Sequence, residues 1–468
     1  MDKKFYLTTT LPYVNADPHI GFAMEIIRAD TIARFHRLLG EEVVFNTGTD
    51  EHGQKIYQKA KEQGISPQAY CDEHAKNYER LKGSLNISYT NFIRTTDPHH
   101  IKAAQEFWKK CAKDIYKAKY QIKYCVGCEL EKTESELVDG CCPIHPNLPL
   151  ETREEENYFF RFSKFQEPLL KLYQERPDFV VPSFRQEEIT KFVKTGLKDF
   201  SISRLKEKMP WGIDVPGDPQ QVMYVWFDAL INYISTLGWP EDEKTFNEFW
   251  PGVQIAGKDN LRQQSAMWQA MLMSAGLPPS KQIYIEGFIT SGGQKMSKSL
   301  GNVIDPFELT EKYGIDPVRY YLLREIPSYD DGDFSLSRFK ELYNADLANS
   351  LGNLVARAAK LCEKSNQPIK RNHYEISAPV KTALEKYKFD EALKDIFLHI
   401  DRANQTISQT QPWAQEGEEL AKSLEAIISF IDYLVPNLQP FMPGTAEKIL
   451  EQFKGPKIKA GSPLFPRI

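Results

Sequence analysis

With 468 residues the chain is too long for one ordinary domain, and length alone predicts roughly two to four. Its 41% hydrophobic and 26% charged residues make a soluble, globular composition, and no apolar run is long enough to span a bilayer. The net charge of −5 argues against a uniformly basic nucleic-acid binder, yet positive charge is concentrated locally, in Arg185, Lys191, Lys194, Lys198, Arg204, Lys206 and Lys208 and again in Arg338, Lys340, Arg357, Lys360 and Lys364.

The segment Met1–Thr10 lacks the apolar core and cleavage site of a signal peptide, so a cytoplasmic protein is expected. Phe5, Leu7 and Thr9 alternate with Tyr6 and Thr8, which predicts a strand. A loop follows, and Asp17-Pro18 reads as a helix start, with Asp capping the first turn and Pro where its missing N–H costs nothing. Ile20, Met24, Ile27, Phe35 and Leu38 recur at helical spacing and Gly40 closes the helix. Val43–Phe45 is a second strand, ending near Thr49-Asp50-Glu51-His52-Gly53. Strand, helix, strand opens a parallel α/β sheet, whose ligands bind at the carboxyl ends of the strands; Tyr13 to His19 and Thr47 to His52 both lie at such ends.

From about Tyr116 to Gly217 the pattern breaks, first into a Cys and His cluster and then into turn-rich basic segments, as an insertion between two halves of the sheet would do. The α/β pattern resumes after Val222, with a strand over Val253–Ala256, a helix over Leu261–Ser274, a strand over Ile283–Glu286 and a Gly-rich loop from Ser291 to Gly301. Beyond Asp333 no strand is evident, and Phe339 to the end reads as a helical bundle. The expected division is therefore 1–115, 116–217, 218–325 and 326–468: first half-sheet, insertion, second half-sheet, and linker with helical domain.

The seven cysteines favour free thiols and a metal site over a disulfide framework. Cys125-Val-Gly-Cys128 and Cys142-Pro-Ile-His145 form two hooks that present four soft or borderline ligands to one tetrahedral zinc. Cys141 competes with Cys142, whose spacing to His145 mirrors the first hook. With all four positions filled by protein, the expected role is structural, one zinc per chain.

No Gly-x-Gly-x-x-Gly is present. Gly252 to Asp259 approximates a P-loop but carries Asp where a hydroxyl should hold magnesium, and it contains the strand that should precede it. Two other segments suit phosphate better. Pro18-His19-Ile20-Gly21-Phe22 sits at a helix amino terminus, where free N–H groups and the macrodipole attract anions. Lys295-Met-Ser-Lys298-Ser299 places two lysines on a loop flanked by Gly292, Gly293 and Gly301, able to close over the outer phosphates of ATP. The first follows the first strand and the second follows the last.

With those two elements in that order, and with Leu11-Pro-Tyr-Val-Asn, Gly48-Thr-Asp-Glu-His-Gly53 and Val225-Trp-Phe-Asp-Ala229, the sequence resembles the class I aminoacyl-tRNA synthetases, and within them the methionyl-tRNA synthetase family, from about Phe5 to Trp413. The resemblance implies an α/β fold: a Rossmann-type catalytic domain split by a zinc-containing insertion, then an α-helical anticodon-binding domain. It implies that Asp50 holds the α-amino group of methionine and that Leu11, Tyr13, Trp226, Ala229 and Tyr233 line the side-chain pocket. Gln264 lies near that pocket where many members have His, and Asn260 replaces an aliphatic residue. Gly257 and Asp259 match positions that take the ribose of ATP, beside His19 and Gly21. His19, Lys295 and Lys298 match the catalytic positions. Asn353, Arg357 and Trp413 match positions that read the anticodon. Phe22 departs from the family's His-Ile-Gly-His.

The implied reaction has two steps, attack of the methionine carboxylate on the α-phosphate of ATP and then transfer to the terminal adenosine of tRNA. The implied partners are L-methionine, ATP with Mg2+, and tRNA(Met), the initiator included; no membrane partner is expected. Because the chain ends soon after the helical region, a monomer is expected. Rival readings are the leucine, isoleucine or valine branches, which carry long editing insertions, a tRNA-binding protein that has lost catalysis, and a plain nucleotidyltransferase.

Overall fold

The structure is a computed structural model that describes residues 3–128, 130–132, 137–296, 302–365, 370–455 and 457–468. Its centre is a six-stranded sheet built from β1 (Lys4–Thr8), β2 (Glu42–Thr49), β3 (Asn91–Arg94), β4 (Val180–Val181), β5 (Val253–Gly257) and β6 (Gln282–Glu286). The spatial order is β3-β2-β1-β5-β6-β4, and every pairing is parallel. Phe5 to Thr8 are all buried, so β1 is covered on both faces; the alternation read from Phe5 and Leu7 does not separate core from solvent, because a parallel sheet is flanked by helices on both sides. The strand order reverses between β1 and β5, and a crevice at the carboxyl ends of those two strands is where such a sheet takes its ligand. At Gly48 an added Cβ would lie 1.7 Å from the Ile93 carbonyl oxygen, so only glycine lets β3 approach β2 there.

Helix α1 (Ile20–Leu38) begins later than the sequence suggests. His19, not Asp17, is its N-cap: His19 Nδ1 accepts from the Gly21 N–H at 3.0 Å, which fills the capping place, while Asp17 lies outside the helix and accepts from Asn77. Gly40 follows the helix at φ +77°, as expected of a glycine closing it. The helix expected over Leu261–Ser274 is present but interrupted by a π turn (Gln263–Met267) before its regular part (Trp268–Ala275), and a 3-10 turn (Lys258–Asn260) precedes it.

The region read as an insertion is dominated by a long antiparallel hairpin, Ile115–Cys125 with Glu151–Phe160. It also supplies β4 to the central sheet. Arg204 does not belong to a solvated basic stripe. Its side chain is buried, donates to Ser201 Oγ and the Ser203 carbonyl, and lies over the Tyr224 ring.

Past Asp333 the described residues are mostly helical. Gly332–Phe334 pairs with Ile289–Ser291 as a short strand, residues 370–377 are not helical, and residues 453–455 and 457–468 are not helical but return Phe465 to the core. The bundle contains α2 (Asn353–Ser365), α3 (Phe389–Thr410) and α4 (Gly417–Leu438). Fully buried Arg319 joins it to the sheet domain, pairing with Asp30 of α1 and donating to the carbonyls of Leu85, Pro440 and Phe441. A buried guanidinium with all these acceptors fixes the two units, since leaving it unpaired would be costly. No described helix is long and apolar enough to cross a membrane.

Candidate active site and metal cluster

At the carboxyl ends of β1 and β5 opens a cavity of about 550 Å³. One wall is the loop after β1. It is zipped onto the end of β2, with Asp50 N donating to the Pro12 carbonyl at 2.9 Å and Val14 N to the Asp50 carbonyl at 3.2 Å. This places Leu11 and Tyr13 beside Asp50. The opposite wall is the short helix Val225–Leu230 and the turn after it, which contribute Trp226, Ala229 and Tyr233. Gln264, from the π turn, closes the floor and donates to the Tyr233 hydroxyl at 2.7 Å. All seven residues expected in the methionine pocket therefore line one cavity. The indole N–H of Trp226 is buried there without a partner among the described residues.

The phosphate-side residues line the same cavity: His19 and Gly21 at the start of α1, Gly257 and Asp259 after β5. Gly21 is required by close approach, since an added Cβ would sit 2.8 Å from the His19 ring. Asn260 also lines the cavity and donates to Asp259. Phe22 lines it too, with its ring edge-on to Tyr78 at 5.6 Å. The backbone of Lys295 forms a hairpin with Thr290, and the adjacent Met296 reaches the cavity. The Lys295 side chain, and Lys298 with the rest of its loop, lie outside the described residues.

Two acids that sequence reasoning passed over also line the cavity, Glu25 and Glu286. Glu25 stands one helical turn after Gly21, and Glu286 ends a parallel strand; those positions were the available signals. Burial pushes the Glu286 carboxyl up to about 7, although the Arg28 guanidinium lies 3.2 Å away. Burial and the nearby Glu286 charge push Glu25 up as well, against hydrogen bonds from the Thr10 N–H and hydroxyl.

Behind the Asp50 wall lies a second unread cluster. The Asp228 carboxylate accepts from His52 Nδ1 at 2.6 Å and His100 Nε2 at 2.8 Å, and His100 Nδ1 is 2.9 Å from Ser235 Oγ. Burial opposes ionisation of Asp228, but the imidazoles outweigh it and hold the carboxyl below its usual range.

Cys125, Cys128, Cys142 and His145 converge, with their donor atoms all within 4.8 Å of one another. Cys128 Sγ is 3.3 Å from Cys142 Sγ and 3.2 Å from His145 Nδ1. Ligands about 2.0–2.3 Å from a tetrahedral centre stand roughly 3.3–3.8 Å apart, so the cluster fits a metal such as zinc. Cys142, not Cys141, belongs to it. At Gly127 an added Cβ would strike the His145 ring at 2.4 Å, so glycine is needed for the knuckle to close.

In the helical domain Asn353 and Arg357 share one exposed face of α2, with Asn353 Nδ2 3.5 Å from Asn404 Oδ1 and Arg357 donating to Ser408 Oγ at 3.3 Å. Trp413 is 48% exposed, so it is not part of the core.

The sequence family described as class I tRNA synthetases (M) matches residues 5–147 and 132–359. The methionine–tRNA ligase of Thermosynechococcus vestitus is 44% identical over 97% of this chain and 90% of its own length. The chloroplastic/mitochondrial methionine–tRNA ligase of Arabidopsis thaliana is 42% identical over 96% of this chain and 77% of its own. Among solved structures, Mycobacterium tuberculosis methionyl-tRNA synthetase in complex with methionyl-adenylate superposes with a TM-score of 0.92 at 36% identity, covering 99% of this chain and all of that one.

Proposed function

The chain belongs to the methionyl-tRNA synthetase family of class I tRNA synthetases, and from that premise we infer how its residues divide the work of methionine–tRNA ligation. The observation that carries the reading is one cavity joining an acid, Asp50, and an aromatic pocket to the amino terminus of α1. A thioether packs well against the aromatic walls of Tyr13, Trp226 and Tyr233, and Asp50 meets the α-ammonium. The methionine carboxylate is then aimed at an α-phosphate held by His19 and favoured by the positive end of the α1 dipole. Gly21 and Gly257 leave room for the nucleotide, and Asp259 takes the ribose. Lys295 and Lys298 meet the charge of the departing pyrophosphate. Magnesium enters with ATP as part of the substrate and neutralises phosphate charge. In the second step a hydroxyl of the terminal adenosine of tRNA attacks the adenylate; no enzyme nucleophile is required.

The division proposed is 1–115 and 218–325 for catalysis, 116–217 for the zinc-bearing insertion and 326–468 for the linker and anticodon-binding domain. Zinc held by Cys125, Cys128, Cys142 and His145 would fix the knuckle without taking part in chemistry. Asn353, Arg357 and Trp413 would read the anticodon of tRNA(Met), the initiator included. One chain carries both the cavity and this surface, so a monomer suffices. Its substrates, ATP and tRNA, suit a cytoplasmic enzyme. Amino-acid-dependent ATP–pyrophosphate exchange across all twenty amino acids tests the reading. Methionine alone should support strong exchange; strong exchange with leucine or isoleucine and none with methionine would reject it.

A further inference from the structure

Residues 457–468 run back along α2. The Ala460 N–H donates to Glu363, near the end of α2, at 3.4 Å. Phe465 is buried and lies 3.8 Å from the place a Cβ would take at Gly352. Arg467 Nε donates to Asn349 Oδ1 at 3.0 Å, and the Ile468 N–H to Asn344 Oδ1 at 3.1 Å. These contacts fall in reverse order along α2 and the π segment Tyr343–Gly352 that leads into it, so the two stretches are antiparallel neighbours. Between them lies a groove of about 440 Å³. Its floor is made small by Ala348, Gly352 and Ala356. Among the described residues its polar lining is Asn349, Asn353 and Arg467, with no acid.

Charge is distributed unevenly here. The protein has a net charge of −5, yet residues 457–468 hold Lys457, Lys459 and Arg467 and no acid. α2 holds Arg357, Lys360 and Lys364 against Glu363 alone. Asn353, Arg357, Lys360 and Lys364 are spaced by four, three and four residues, so they share one helical face about 16 Å long. Lys360, Lys364, Lys457, Lys459 and Arg467 are exposed. Among the described residues no ion pair neutralises any of these six cations. Like charges gathered without acids repel one another and do nothing for the fold, but they create a local potential that attracts an anionic partner.

We propose that this groove is a phosphate rail, in which Lys360 and Lys364 on one bank and Lys457, Lys459 and Arg467 on the other hold the sugar-phosphate backbone of an RNA stem whose loop meets Asn353, Arg357 and Trp413. It rests on the reading that those three residues face the anticodon. The groove is continuous with that surface, because Asn353 lines the one and belongs to the other. Its cations are drawn out in a line, which matches the repeating charge of a nucleic-acid backbone better than a single anion. Phosphate contacts set register and orientation without reading sequence. The rail would therefore place the stem, and Asn353 and Arg357 would read the bases.

The probe is the isolated anticodon stem-loop of tRNA(Met), bound to the full chain, beside a hairpin with the same stem and an altered anticodon. Affinity is measured across a series of salt concentrations. Each phosphate contact removed should lower the slope of log affinity against log salt by about one. Lys360→Gln with Lys364→Gln should lower it by about two, and Lys459→Gln and Arg467→Gln by about one each, with affinity falling equally for both hairpins. Arg467→Lys keeps the charge and should keep the slope; a loss equal to that of Arg467→Gln would mean that Arg467 serves only its bond to Asn349, and would remove it from the rail. Asn353→Ala should weaken only the hairpin with the methionine anticodon. Parental slopes in all the neutralised variants, or losses confined to the methionine anticodon, overturn the rail and leave the anticodon reading standing. If Asn353→Ala and Trp413→Ala bind both hairpins as the parent does while the neutralised variants weaken both, the anticodon reading fails and the rail remains as a sequence-blind RNA surface.

Discussion

Arg357 holds its guanidinium 5.8 Å from the centroid of the Trp413 ring, joining α2 to the segment that follows α3. At an exposed site such a contact is worth about 0.5–1 kcal/mol, too little to explain why a tryptophan stands in solvent. The geometry suits a stacking platform with a cation at its edge. Trp413→Ala should therefore leave pyrophosphate exchange normal. Base stacking is worth roughly 1–3 kcal/mol, so kcat/KM for charging tRNA should fall by about five- to a hundredfold or more. Normal charging would reduce Trp413 to a surface residue.

The metal cluster predicts one zinc per chain by elemental analysis. Cys142→Ser should release it and loosen the knuckle, because the Cys142 thiol faces Cys128 across the centre. Cys141→Ser should retain the metal, since Cys141 lies outside the four converging donors. Retention in the first variant and loss in the second would reverse the assignment.

Glu286 gives the fold a pH dependence whose sign can be worked out. Its folded-state value is about 7 against an ordinary 4.5, so between those values the folded protein binds the proton and the unfolded chain does not. Stability from this group is fully present below about pH 4.5 and is lost as pH rises through about 7. Glu286→Gln removes the titration. The Tm of the parent minus that of the variant should therefore increase as pH falls from 8 to 5.5. A flat difference would mean that the Arg28 pair keeps Glu286 ionised throughout.

The sheet was legible because β2, β5 and β6 are short apolar runs bounded by turn residues, and the cavity was legible because Asp50, His19, Trp226 and Tyr233 stand at strand ends and helix starts. The cysteine hooks were legible from spacing. Other features needed three dimensions. Asp17-Pro18 carries a standard helix-start signature, yet His19 caps the helix because its ring reaches the Gly21 N–H. The π turn at Gln263–Met267 leaves the helical spacing of apolar residues almost intact, so periodicity could not expose it. Asp228, His52 and His100 come from three separate segments, and no local pattern connects them. Glu25 looks like any charged residue in a helix until Thr10 and Glu286 are seen around it.

The lysine loop yields a kinetic prediction from sequence alone. Lys298→Ala should slow adenylate formation far more than it weakens methionine binding, because Lys298 is proposed to meet charge that develops on leaving pyrophosphate. An interaction made mainly in the transition state lowers kcat and kcat/KM together. Loss of a comparable donor costs roughly 2.7–4 kcal/mol, or about a hundred- to a thousandfold in rate. Exchange at the normal rate would leave the loop as a solvated feature.

Asp228 provides the last prediction. Each of its oxygens accepts from a different imidazole, so the carboxylate joins two walls of the cavity: His52 lies two residues after Asp50, and Asp228 itself stands between Trp226 and Ala229. Asp228→Asn keeps the shape but replaces one acceptor by an NH2 donor. That donor must face an imidazole N–H unless a histidine changes tautomer, and a buried polar clash of this kind costs about 1–3 kcal/mol. Tm should fall accordingly. Because the strain falls between Asp50 and Trp226, KM for methionine should rise by about tenfold, while KM for ATP, proposed to bind at the start of α1 and the end of β5, should change by less than about twofold. The acid limb supplies a second check. The folded carboxyl sits below its usual range, so its contribution is present above the ordinary value of 3.8 and is lost as pH falls through the lower folded value. The asparagine variant should therefore lose less stability than the parent over that acid interval. Equal rises in both KM values would mean general loosening of the cavity, with no special tie between Asp228 and the methionine walls.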